Sequence, residues 1–122
     1  MELEIYGLLC EYLAGIFVPN AIHPIKTGDL SKPNLVYEYY DDSAGTVHTG
    51  MLTLKIISPS YDEAACLSAQ VKDRLNTDVQ DQSMLSGSYA VRCLLAGGGC
   101  LYNSDFGRYE YQQIYTIRYA RR

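Results

Sequence analysis

Three observations predict an α+β domain, a mostly antiparallel β-sheet with two helices packed on it. Apolar residues recur at helical spacing in only two places, residues 2–16 and 61–76. Runs rich in tyrosine and β-branched residues cover 35–40, 46–57, 89–96 and 108–119. Most of these runs are joined by turn chemistry, so neighbouring strands form hairpins. The predicted order is α-β-β-β-α-β-β, and the length suits one domain over residues 1–122.

The first helix is predicted over residues 2–16, because Ile5, Leu8, Leu9, Tyr12, Leu13 and Ile16 fall on one stripe. Gly7 costs it a little and Gly15 loosens or ends its last turn. A helix with one apolar face needs a partner surface, and the sheet supplies it. Residues 17–34 hold Pro19, Pro24 and Pro33, which restrict this stretch to a short extended piece near 21–25 and a contact-capable loop over 26–34.

Residues 35–40 (LVYEYY) read as a strand, 41–45 (DDSAG) as its turn, and 46–57 as the return strand. On that return strand Leu52, Leu54 and Ile56 share one face, while Met51, Thr53, Lys55 and Ile57 share the other. Ser58-Pro59-Ser60 stops it. Ser60-Tyr61-Asp62-Glu63 is a capping box, with the Ser60 hydroxyl accepting from the Glu63 N–H and the Glu63 carboxylate reaching back to the Ser60 N–H. Ala64, Leu67, Val71 and Leu75 then form an apolar stripe, with the small Ser68 beside it. Lys72 and Arg74 complement the helix dipole.

Residues 77–87 read as loop and 89–96 as a strand that Gly97-Gly98-Gly99 breaks or bulges. Residues 102–107 are a turn. Residues 108–119 are the most regular strand, with Tyr109, Tyr111, Gln113, Tyr115, Ile117 and Tyr119 on one face.

Composition narrows the function class. A formal net charge of -4 argues against a dedicated nucleic-acid binder, since basic residues cluster only at Arg118, Arg121 and Arg122 and at Lys26 and Lys32. No apolar run is long enough to span a bilayer, and the acidic start Met1-Glu2-Leu3-Glu4 lacks the basic region of a secretory signal. Cys10, Cys66, Cys93 and Cys100 have no C-x-x-C spacing and read as reduced, mostly buried thiols of a protein made in a cytosol. There is no phosphate-binding, dinucleotide-binding, metalloprotease or nucleophile-elbow motif. His23 and His48 lack metal-ligand spacing, and the glycine triplet lacks a following Lys. No enzyme activity, cofactor or metal is expected.

The residue excess that stands out is tyrosine, 12 against 2 Phe and no Trp. Tyrosine supplies amphipathic contact area and is enriched at interfaces. A protein–protein surface is therefore expected at Tyr109 and Tyr111. If copies assemble, Asp41 and Asp42 on one copy are expected to meet Arg118, Arg121 and Arg122 on a neighbour. The competing expectation is a small intracellular ligand-binding or regulatory domain whose sheet and helices enclose a pocket with tyrosine hydroxyls as polar handles.

The order of segments resembles the tail terminator and tail-completion proteins of long-tailed bacteriophages. The residues that carry the likeness are Leu35-Val36-Tyr37-Glu38-Tyr39-Tyr40, the helix start Ser60-Tyr61-Asp62-Glu63-Ala64-Ala65, the turn Asp105-Phe106-Gly107, and the strand ending Tyr115-Thr116-Ile117-Arg118-Tyr119. The glycine triplet and its nearby cysteines depart from that pattern. The resemblance implies a structural virion protein at the head–tail interface, assembled in the host cytoplasm into a homo-oligomeric ring, typically a hexamer. Its implied partners are its own copies, the tail tube protein and the head–tail connector, with DNA only as passing cargo and no membrane.

Overall fold

The structure is a computed structural model that describes residues 5–17, 21–24, 33–41, 48–76, 84–86, 89–104 and 107–121. Its elements in chain order are α1 (Ile5–Tyr12), β1 (Ile22–Pro24), β2 (Asn34–Asp41), β3 (His48–Ser58), α2 (Tyr61–Leu75), β4 (Met84–Ser86), β5 (Tyr89–Asn103) and β6 (Arg108–Arg121). They build one six-stranded sheet of order β1-β2-β3-β6-β5-β4. β1 runs parallel to β2 and every other neighbouring pair is antiparallel. The α+β class stands, with two differences from the sequence reading. A short strand, β4, lies inside the predicted loop 77–87, and β5 is bulged at the glycine triplet, one of the two outcomes expected there, but runs on to Asn103 instead of ending at residue 96.

Both differences have physical causes. Tyr12 Oη accepts from the Leu85 N–H at 2.8 Å and donates to the Leu85 carbonyl at 3.5 Å, so α1 holds β4 against β5. At the triplet a register shift between Leu95 and Gly97 bulges β5, yet the ladder to β6 resumes and carries the strand to Asn103.

Helices cover one face of the sheet. In α1, Ile5, Leu8 and Leu9 are buried, and turns hydrogen-bonded through Leu13 carry the chain to Phe17. Gly15, with φ of 88°, ends that run as expected. α1 touches both β1 and β4, the strands at opposite edges. A helix of eight residues is only about 12 Å long, whereas six strands span about 24 Å, so the sheet must curl around α1. α2 lies on β3, β6 and β5. Arg74 ties it to the turn after α1 by donating to the Tyr12 and Ala14 carbonyls at 3.4 and 3.2 Å.

The α2 cap is more elaborate than the capping box predicts. Ser60 Oγ accepts from the Glu63 N–H at 3.4 Å, as expected. The return half is relayed: the Ser60 N–H donates to Ser58 Oγ at 3.1 Å, and Ser58 Oγ donates to Glu63 Oε1 at 2.7 Å. Further along, a buried polar chain locks α2 to the sheet. Gln113 Nε2 donates to the Ser68 carbonyl at 2.8 Å and to Ser68 Oγ at 2.7 Å, and Tyr115 Oη donates to Gln113 Oε1 at 2.7 Å. The small Ser68 admits this close approach, and the Ser68, Gln113 and Tyr115 side chains all find partners in one another.

None of the four cysteines is in a disulfide, but only Cys93 is buried; Cys10 is partly covered, and Cys66 and Cys100 are exposed. The expectation of mostly buried thiols therefore fails, because Cys66 lies on the outward side of α2 and Cys100 on β5 beyond α2. Burial pushes the Cys93 thiol up to about 12.

Candidate protein-interaction surface

The alternation of β6 places its tyrosines on the helix-covered face. Tyr115 and Tyr119 are core residues, at 0% and 2% exposure. Tyr115 gives its hydroxyl to Gln113, and Tyr119 gives its own to Asp41 Oδ2. The chain thus satisfies both of these buried hydroxyls internally. Tyr111 packs half-buried against the core. Tyr109 is half-buried between two other rings, with centroids 5.7 Å from Tyr61 and 4.9 Å from Tyr102.

The most exposed tyrosines are others. Tyr61 and Tyr102, 50% and 54% exposed, flank Tyr109 and open its cluster to solvent. They stand where the start of α2 meets the far end of the β5–β6 ribbon. On the uncovered face, Tyr40 is 69% exposed and lies directly opposite Met51 in the β2–β3 ladder. These two, with Glu38 and Thr53, line an open depression of about 440 Å³. Alternation puts Tyr40 on that face, but the sequence does not say which face the helices leave bare.

The predicted charged residues separate. Arg118 is exposed on the uncovered face, directly opposite Arg92 in the β5–β6 ladder and Thr49 in the β3–β6 ladder. Asp41 sits on the other face, beside Gly50, with its carboxylate turned to Tyr119. Within one chain Asp41 and Arg118 therefore do not meet. Asp42 and the Arg121 side chain lie outside the described residues, as do most of the 26–34 loop and the 42–47 turn. Two arginines directly opposite on a sheet repel each other, and a carboxylate from outside would relieve that cost.

Among the described residues no three His, Cys, Asp or Glu side chains form a group that could hold a metal ion. No described helix is long and apolar enough to cross a membrane.

No protein-family description matches the sequence, and no curated protein does. Solved structures do match the fold. One is a chain of the virion of a native gene transfer agent particle, with a TM-score of 0.60 and 12% identity, covering 92% of this chain and 84% of that chain. A second solved chain, carrying no functional description, has a TM-score of 0.59 and 14% identity over 97% of this chain and 93% of its own. At such identities the likeness establishes a shared fold over nearly the whole length.

Proposed function

We propose that the protein is a structural component of a long-tailed, phage-like virion. It forms a closed ring, hexameric in the family it resembles, that caps the tail tube and joins it to the head connector. The observation that carries the proposal is the fold shared with a chain of a gene transfer agent virion across 92% of the sequence. The surfaces support it. A ring needs head-to-tail contacts between unlike patches, and this chain offers an exposed tyrosine cluster, the Tyr40–Met51 face and the Arg92–Arg118 pair. An acidic net charge suits a conduit through which DNA slides without sticking. No catalytic role enters the proposal.

Light scattering on the eluting protein tests the ring. The expected mass is an integer multiple of 13.7 kDa that falls when Arg118→Glu reverses the charge at the interface. A ring whose mass ignores Arg118→Glu would remove the arginine pair from the interface while leaving the ring intact.

A further inference from the structure

β4 pairs with β5 only from Tyr89 to Val91, and Asn76 Oδ1 accepts from the Leu95 N–H at 3.4 Å. Beyond that point Ala96 is the bulged residue, and residues 97–102 of β5 pair with β6 on one side and with no strand on the other among the described residues. All seven are exposed. Exposed edges of this kind accept strands from other chains unless something blocks them, and no charge or proline blocks this one.

The glycines add a second observation. Gly98 has an internal reason: its φ is 151°, and a Cβ there would collide with the Gln112 carbonyl. Gly97 and Gly99 have none, since a Cβ at either would meet nothing within 4 Å. Their register opposite Ile114 and Gln112 puts both on the uncovered face. Bare glycines in a strand mark places where another backbone or a bulky side chain approaches closely. On the other face the same stretch overhangs a cavity of about 190 Å³, lined by Leu95, Tyr111, Gln113, Ser68 and Lys72. Lys72 is the one charged group in that lining.

We infer that residues 96–102 are a strand-accepting site for an extended segment of a different protein. That segment lays a bulky aromatic side chain over Gly97 and Gly99 and sends a carboxylate toward Lys72 on the other face. Backbone hydrogen bonds supply the affinity, and the two faces supply the selectivity. The site does not rest on the virion reading.

The test uses the whole protein and a short acetylated peptide alternating Phe and Glu. Its nitrogens are methylated along one edge, so that it cannot stack on itself. Alternate amides within residues 96–102 should slow in hydrogen exchange, and a Phe–Lys peptide should bind about tenfold more weakly. Lys72→Glu should reverse that preference. Gly97→Val with Gly99→Val, which adds side chains into open space, should weaken both peptides without unfolding the protein. Unchanged exchange at 96–102, or equal binding of the Glu and Lys peptides, overturns the site. Protection that rises with protein concentration in the absence of peptide gives the edge to a second copy and overturns the assignment of a different partner.

Discussion

The β5–β6 ribbon contains two regions with the same pairing and opposite fates. In the half next to β4, Val91, Cys93, Tyr115, Ile117 and Tyr119 are at most 2% exposed. In the other half, past the bulge at Leu95/Gly97, Leu101 and Tyr102 are 57% and 54% exposed. The glycine triplet marks the boundary in the sequence, but residue type does not say which half is buried. What separates them is where α1 and α2 end, and the boundary is marked by the Ser68–Gln113–Tyr115 chain. Burying one half gives the fold its core, and leaving the other half bare gives it a surface for other molecules.

The variant that breaks the comparison hardest is Gln113→Leu. It strands Ser68 Oγ and Tyr115 Oη in the core, and at about 1–3 kcal/mol per stranded polar group the loss should be about 3 kcal/mol in urea denaturation. Gly98→Ala should follow, at about 2 kcal/mol, because a strained φ meets a backbone collision. Its neighbours sharpen the contrast: Gly97→Ala and Gly99→Ala should stay within about 0.5 kcal/mol of the parent by the same assay.

The covered half also carries a pH signature in its buried Cys93 and Tyr115. Burial raises the Cys93 thiol from 9.0 to about 12 and raises the Tyr115 hydroxyl in the same direction. Below pH 9 both stay protonated whether the chain is folded or not, and stability is unaffected. Between 9 and 12 the unfolded chain loses the Cys93 proton while the folded chain keeps it. Stability should then fall by up to about 1.4 kcal/mol per pH unit. Urea midpoints at pH 7 and pH 10.5 measure the fall, and Cys93→Ala should reduce it. Away from the ribbon, Ser60→Ala should cost about 1 kcal/mol in thermal melts through the lost cap.

Much of this was legible in the residues. The Ser60 cap, the stripe of α2, the β2–β3 hairpin and the alternation of β6 follow from spacing and side-chain type. β4 was not legible, because the three residues MLS carry too little pattern and the Tyr12 clamp on Leu85 acts across the fold. Nor was the fate of the tyrosines. Period two puts Tyr109, Tyr111, Tyr115 and Tyr119 on one face, but only helix placement decides which face is buried. The candidate surface suffered most from this. Arg118 does lie on the bare face, while Asp41 turned inward to Tyr119 and the exposed aromatic residues proved to be Tyr40, Tyr61 and Tyr102.

The most direct measurement is electron microscopy of cognate tail tubes incubated with the purified protein. The proposed function predicts a ring of density on one end of each tube and no further growth when free tube protein is added. Tubes that keep bare ends and continue to elongate would contradict it.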